Sequence, residues 1–298
     1  MKTISVLFFT LTLLFGLYVE TSCFPLTAKD DLGREISLAQ APQRIVSLAP
    51  SHTEILFALG LEDEIVGVTN YCNYPEKAKQ KKKIGSFANP EIEKITSLNP
   101  DLVLAFGGLQ KPIVKKLEKR GQRVFWLYPH TVREVLESFE RIGEIVGRPV
   151  VAHELRIKVE ETIKKIKEKI QSIPGLKRPT VFRVMGLDPL GSVGNYSFQN
   201  EIYYIAGGKN IFSDAKEDYF EIDLKTLIKR NPDVIVICGN DEDEKKRKIK
   251  NQKSWEELTA IKKDRILVIP CDLICRPGPR IAETIEKVAR GLHPLNQE

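Results

Sequence analysis

Residues Val150–Ser172, VVAHELRIKVEETIKKIKEKIQS, decide how this chain is organised. Leu155, Val159, Ile163, Ile166 and Ile170 recur at steps of four, four, three and four, which sets them on one narrow stripe of a 3.6-residue helix. Most other positions are Lys or Glu. Glu160 with Lys164 and Glu161 with Lys165 stand four apart in the favourable order, each pair worth about 0.3 kcal/mol. Pro149 suits a first turn, and Pro174-Gly175 ends the helix. At about 1.5 Å per residue the helix is roughly 33 Å long, one small domain across. It is either a surface helix along a single domain or a strut between two.

The flanking sequence favours the strut. Upstream, Arg44–Pro50 (RIVSLAP) is a short β-branched run that reads as a buried strand, and a helix from Glu54 to Leu59 stops at Gly60. A strand at Ile65–Val68 and a helix at Pro90–Leu98 lead into Asn99-Pro100-Asp101 and the strand Leu102–Phe106. A helix at Ile113–Arg120, a strand at Arg123–Tyr128 and a helix at Val132–Val146 complete this half. Downstream the same order returns: strand Thr180–Val184, the Glu201–Gly207 segment, the Ile222–Arg230 segment, Asn231-Pro232-Asp233, strand Val234–Cys238 and the run Arg265–Pro270, which mirrors Arg123–Pro129. Matching segments lie about 132 to 147 residues apart, as loop insertions in a duplicated unit produce.

Alternating strands and helices predict an α/β fold: two Rossmann-like lobes with mostly parallel sheets, joined by one long helix. The expected boundaries are an N-terminal lobe over 44–148, a connecting helix over 149–174 and a C-terminal lobe over 175–298. An extended lead-in over 24–43 turns at Asp31–Glu35. Ligands of such sheets bind beyond the carboxyl ends of the strands, so two facing lobes make a cleft.

Composition restricts the function classes. The chain has 298 residues, 42% hydrophobic and 29% charged, with a net charge of +6, the profile of an ordinary globular protein. Basic residues alternate with acidic ones and form no aromatic-laced patch, which argues against nucleic-acid binding. At the N-terminus, Lys2, an apolar run from Ile4 to Val19 and then Thr21-Ser22-Cys23 have the layout of a signal peptide over 1–23. Small residues before Cys23 also fit a lipoprotein site with Cys23 as the lipidated residue, although Glu20 stands where an aliphatic residue is usual. The protein is therefore expected to be exported, in the periplasm or an equivalent extracytoplasmic space, and lipid anchoring through Cys23, plain secretion and an uncleaved anchor all stay open.

Catalytic motifs are missing. The sequence has no phosphate loop, no G-x-G-x-x-G and no G-x-S-x-G elbow. No two of its four histidines stand at a helical zinc spacing. No enzyme activity, no resident cofactor and no metal site are expected. His52, at a predicted helix start, is read as capping or packing before ligand contact. Aromatic residues instead mark the strand-end loops: Tyr71, Tyr74, Phe87, Phe106, Tyr128, Tyr196 and Tyr219. Rigid rings can cover a large flat ligand with little loss of side-chain entropy. In Pro270–Arg280 (PCDLICRPGPR) prolines and a glycine fix the backbone after a strand, so Asp272 and Arg276 can serve as polar anchors at the cleft, or simply pair with one another. Cys271 and Cys275 can form a local disulfide, bind a soft metal or pack, and Cys238 lies inside an apolar strand.

Several of these segments together resemble a known family. Arg44–Glu54, Tyr71–Pro75, Ile92–Ile95, Asn99–Asp101, Gln199-Asn200, Gly207–Phe212 and Arg276–Arg280 are similar to the helical-backbone class of periplasmic binding proteins, most of all its cobalamin-binding members. The resemblance runs from about Asp31 to Leu292. It implies a monomer that captures a corrinoid in the interlobe cleft and delivers it to an ABC importer permease in the inner membrane. Haem and ferric-siderophore binders share the framework and are the alternative; an exported metal or redox enzyme using Cys72, Cys271 and Cys275 is a more distant one. By resemblance Tyr71, Phe87, Phe106 and Tyr219 match ring-bearing ligand positions, and Asp272 and Arg276 the polar segment. Glu93 matches a permease-docking glutamate of the first lobe. Its counterpart in the second lobe falls on Lys225, so either Glu221 or Asp223 substitutes or the second contact is a different one.

Overall fold

A computed structural model describes residues 25–293. The segment read as a signal peptide, with Cys23, lies outside the described residues. Among the described residues no helix is long and apolar enough to cross a membrane.

The lead-in is a hairpin, β1 (Leu26–Lys29) paired antiparallel with β2 (Glu35–Leu38). Asp30 closes its turn by accepting the Leu32 and Arg34 amides, each at 3.0 Å. The first lobe runs β3 (Ile45–Ser47), α1 (Pro50–Ala58), β4 (Ile65–Val68), α2 (Ile92–Ser97), β5 (Leu102–Phe106), α3 (Lys111–Glu118), β6 (Val124–Leu127) and α4 (Val132–Val146). Leu26, Ala28 and Leu38 are buried in the same core cluster as α4, so the lead-in is part of this lobe's core.

The connecting helix is α5 (Pro149–Gln171). The second lobe follows: β7 (Thr180–Val184), β8 (Gly186–Leu187), β9 (Leu190–Val193), α6 (Phe198–Ile205), β10 (Lys209–Asn210), β11 (Tyr219–Glu221) and α7 (Leu224–Arg230). It continues with β12 (Val234–Cys238), α8 (Glu242–Lys250), α9 (Thr259–Lys262), β13 (Ile266–Ile269), α10 (Cys271–Ile274) and α11 (Ile281–Leu292).

Each lobe carries a four-stranded parallel sheet, in the order β4-β3-β5-β6 and β10-β7-β12-β13. Numbered within its own lobe, each order is 2-1-3-4, so the repeat in the sequence is a repeat of topology. Its most specific trace is Asn-Pro-Asp. Asn99 and Asn231 both take the left-handed conformation, with φ 45° and 41°, which asparagine tolerates better than most residues. The following aspartates then lock the first strand of each sheet. Asp101 Oδ2 accepts the amides of Gln43 and Arg44, and Asp233 Oδ2 accepts the Thr180 amide and hydroxyl. A three-stranded antiparallel sheet, β11-β9-β8, is an addition of the second lobe that the strand pattern does not predict.

α5 packs on α4 of the first lobe and on α6 and α11 of the second, within one continuous apolar cluster. Val159, Ile163 and Ile170 of the stripe are buried, and Leu155 and Ile166 are partly buried against the same cluster; each fully buried side chain contributes about 1.5–3 kcal/mol. Gly143 of α4 lets the two helices meet, since a Cβ there would stand 2.2 Å from Cβ of Ala152. The ion pairs along α5 are Arg156 with Glu160 and Lys164 with Glu168, displaced from the expected pairs because Arg156 reaches Glu160 from the preceding turn.

Candidate functional site: the interlobe cavity

Both sheets point their carboxyl ends at the junction of the lobes. There a cavity of about 300 Å³ is lined by Ala49, Pro50 and Ser51 after β3, Tyr71 and Phe87 beyond β4, and Phe106 ending β5. The second lobe supplies Cys271, Asp272, Cys275, Arg276 and Pro277, all after β13. Five of the six residues predicted to meet a ligand therefore line one cavity. Tyr219 does not line it. Its ring lies over Gly191 and Gly186 on the antiparallel sheet, where a Cβ on Gly191 would come within 2.5 Å of its hydroxyl. It is 46% exposed.

The aromatic wall is held from behind. Buried Gln110 donates to the Leu48 and Phe87 carbonyls and accepts the Phe106 amide, all at 2.9 Å. One side chain thus pins three of the segments that carry the lining. Phe106 contacts Phe87 and Tyr128 at ring-centroid distances of 6.2 and 6.1 Å. Edge-on to Phe106 at 5.6 Å is His52. Burial lowers its pKa to about 3, opposed by the charge of Asp31, so this ring is a neutral packing group, as expected.

The polar side of the cavity is an ion cluster between the lobes. Arg276, 7% exposed, donates from Nη1 to Glu54 Oε1 at 2.9 Å and from Nη2 to the Tyr71 carbonyl and Asp272 Oδ1. Arg280 forks onto both oxygens of Glu54, and Asn73 Nδ2 donates to Asp272 Oδ2 at 2.7 Å. Read from sequence, Asp272 and Arg276 were alternatives between ligand anchor and internal pair. In the fold they pair, and Arg276 is mainly a clamp between lobes because a buried guanidinium must find its anion inside the protein. On the opposite edge of the lobe junction, Tyr128 donates its hydroxyl to Asp218. His130 there stacks on Tyr196, with centroids 4.1 Å apart.

Sequence reasoning passed over Glu54, Arg280, Gln110 and Arg183. Arg183 had a signal, an arginine inside the apolar run of β7; Gln110 had none. Cys72 is buried and packed against the hydroxyls of Thr53 and Thr69, its thiol pushed up by burial. It is buried and does not line the cavity that Cys271 and Cys275 line. Among the described residues no group of three or more His, Cys, Asp or Glu is arranged to hold a metal ion. The docking candidates are all exposed. Glu93 pairs with Arg120 at 2.8 Å, Asp223 caps α7 by accepting the Thr226 amide, and Glu221 ends β11.

The chain belongs to the periplasmic binding protein family, whose match covers residues 45–273. It is 33% identical over 280 residues to the uncharacterized ABC transporter substrate-binding lipoprotein YvrC of Bacillus subtilis, covering 92% of this chain and 88% of that one. The periplasmic vitamin B12 binding protein BtuF of Vibrio cholerae superposes with a TM-score of 0.72 at 26% identity, over 84% of this chain and 96% of that chain. A possible iron-binding (periplasmic solute-binding) protein of Staphylococcus epidermidis gives 0.73 at 28% identity, over 85% and 100%. Two lobes of parallel sheet joined by a long helix are the architecture this family uses for ABC import.

Proposed function

We propose that this protein captures a corrinoid in the interlobe cavity and delivers it to an ABC importer. The observation that carries the reading is the wall of Tyr71, Phe87 and Phe106 facing the Cys271–Pro277 turn. Three rings meet a turn that is apolar apart from Asp272 and Arg276, which pair with one another. Such a lining suits a large flat ligand with a polar rim, and the likeness to the Vibrio cholerae protein supports the same class.

Titration of the purified protein with cyanocobalamin, followed by heat and by quenching of Trp126, tests it. Saturable binding below about micromolar concentration is expected; no heat at that concentration overturns the corrinoid assignment.

Haem or a ferric siderophore is the second reading. It is favoured by the likeness to the Staphylococcus epidermidis protein and by Tyr71, whose side chain is 63% exposed at the cavity. Phenolate ligation of iron would appear as a visible band that Tyr71→Phe removes.

Delivery requires contact with a permease. Glu93 on the first lobe and Glu221 on the second are the docking pair in this reading, since Asp223 already spends its carboxylate on the helix cap. Rim charges of this kind act on association rate more than on affinity. A lipid on Cys23 would hold the protein at the outer face of the membrane, a reading supported by the lipoprotein relative.

A further inference from the structure

α3 and the arginine just beyond it carry five cations, Lys111, Lys115, Lys116, Lys119 and Arg120, against one acid, Glu118. Ile113, Val114 and Leu117 are buried beneath them, so the charge is confined to the outer face of an amphipathic helix. The acids close by are already paired: Glu118 with Arg34 of the lead-in hairpin, Glu93 with Arg120 and Glu91 with Lys94. Lys111 lies over the Trp126 ring, 5.0 Å from its centroid. Lys115, Lys116 and Lys119 are exposed and make no ion pair among the described residues. Lys111, Lys115 and Lys119 also stand four apart on one stripe, an arrangement that destabilises an isolated helix and that an outside anionic surface relieves.

α8 provides the contrast within the same molecule. It follows β12 as α3 follows β5, and it too has five cations. It brings three acids of its own, however, and its Lys245, Lys246 and Lys250 pair with Glu244, Glu242 and Asp264. α8 largely neutralises itself, and α3 does not.

Beside the uncompensated charge is an outward-facing leucine. Leu109, on the turn into α3, is 62% exposed. The turn is held in place: the Gly107 amide donates to the Leu127 carbonyl, the Gly107 carbonyl accepts Trp126 Nε1, and Gln110 is buried. Lysines without fixed acceptors supply a field and little shape, whereas recognition of a protein carboxylate favours the bidentate fork of arginine. Arg120, the arginine at the end of this helix, is already committed to Glu93. Diffuse positive charge next to a projecting apolar side chain suits a surface that is anionic outside and apolar beneath.

We propose that Lys115, Lys116 and Lys119 with Leu109 form a contact for an anionic lipid bilayer, the lysines meeting headgroup phosphates and Leu109 entering the acyl boundary. The contact is independent of which ligand the cavity takes. Leu109 is three residues beyond Phe106 of the cavity wall, so in the import reading this contact keeps the cavity close to the membrane that holds the importer. A lipid on Cys23 would act with it as the second of two anchoring signals.

The test uses the chain from Phe24 onward, which keeps every described residue and omits the apolar Ile4–Val19 run. It is sedimented with vesicles of phosphatidylcholine alone or with about one-third phosphatidylglycerol. At about 0.1 M salt it should bind the mixed vesicles only, and binding should vanish at about 1 M salt, where the screening length falls to about 3 Å. Each lysine at such a surface raises partitioning about fivefold. Lys115→Glu/Lys116→Glu/Lys119→Glu should therefore weaken binding by about tenfold or more. Arg247→Glu/Lys248→Glu/Lys253→Glu, which removes the same charge from the second lobe, should weaken it less than about threefold. Leu109→Asn should weaken it by about threefold and leave its salt dependence unchanged. Equal binding to the two kinds of vesicle, equal losses in the two triple variants, or full binding by Leu109→Asn overturns the proposal, and the lipid and salt comparisons need only wild type. Binding to neither vesicle, with import still lost in the α3 triple variant, assigns this face to an acidic protein partner and also overturns it. Cyanocobalamin titration should be the same in the α3 variant as in wild type, so a failure of the corrinoid reading leaves the vesicle result standing.

Discussion

Glu54 Oε1 accepts a hydrogen bond from Arg276 Nη1 at 2.9 Å across 222 residues of sequence, from the first helix of one lobe to the last turns of the other. Both side chains are nearly inaccessible, at 2% and 7% exposure. With Arg280 on the same carboxylate, the two lobes are fastened at a point far from α5. Removing one partner of a buried pair leaves an uncompensated charge and costs about 3–5 kcal/mol. Glu54→Gln leaves Arg280 without its carboxylate partner and Arg276 with Asp272 alone, so it should lower the unfolding free energy by about 3 kcal/mol. Urea denaturation checks this, and a loss below about 1 kcal/mol would show that the cluster does not fasten the lobes.

The assignment of the cavity is separable from the assignment by resemblance. Phe106 ends β5 on the wall, whereas Tyr219 lies on the antiparallel sheet over Gly191. Removing a ring that covers ligand loses about 1.5–3 kcal/mol, which corresponds to roughly 10- to 100-fold in affinity. Phe106→Ala should therefore weaken cyanocobalamin binding by that factor, and Tyr219→Ala should change it less than about twofold. Equal losses in the two variants would extend the site onto the antiparallel sheet.

What the sequence revealed, and what it withheld, follows from the range of the forces involved. Periodicity exposed α5 because its stripe is local, and Asn99 and Asn231 exposed the duplication because a left-handed residue before proline is a local demand of the backbone. Tyr71, Phe87 and Phe106 were legible because strand ends in this topology point at one place. Glu54 was not, because nothing near it in sequence predicts a partner 222 residues away. Gln110 was invisible for the same reason, its three partners lying on separate loops. Tyr219 could not be placed from sequence, because a ring at the start of a short strand reads the same whether it faces a cleft or lies flat on a glycine.

Acid sensitivity should trace to His52. The buried ring has a pKa of about 3 against the usual 6.5, and its Nδ1 has no hydrogen-bond partner. The unfolded chain therefore binds a proton near pH 6.5 that the folded chain refuses until about pH 3. Stability contributed by the neutral ring is fully present above pH 6.5 and is lost as pH falls toward 3. The slope in that window is at most about 1.4 kcal/mol per pH unit. His52→Gln should flatten the fall in urea midpoint between about pH 6 and pH 4 relative to wild type. Parallel curves for the two proteins would assign the acid transition elsewhere.

The cavity of about 300 Å³ is at the lower end of ordinary ligand sites, and a corrin ring with its side chains needs more room. The lobes must part to admit it, and one contact that resists, besides the Glu54 cluster, is the Tyr128 hydroxyl on Asp218, one residue from each lobe. This hydroxyl is held well above the usual tyrosine range, first by burial and then by that bond, so it stays a donor throughout the physiological range. A neutral donor on a carboxylate contributes about 1.5–3 kcal/mol at most. Whatever it contributes to the joined arrangement is a cost to binding, because apparent affinity scales with the fraction of molecules able to open. Tyr128→Phe should therefore tighten cyanocobalamin binding, by about threefold or more. The single helix α5 limits the accompanying rotation, so small-angle scattering should show only a slight change of radius between free and saturated protein. Weaker binding by Tyr128→Phe would mean that the ring pair with Asp218 contacts the ligand instead of gating it.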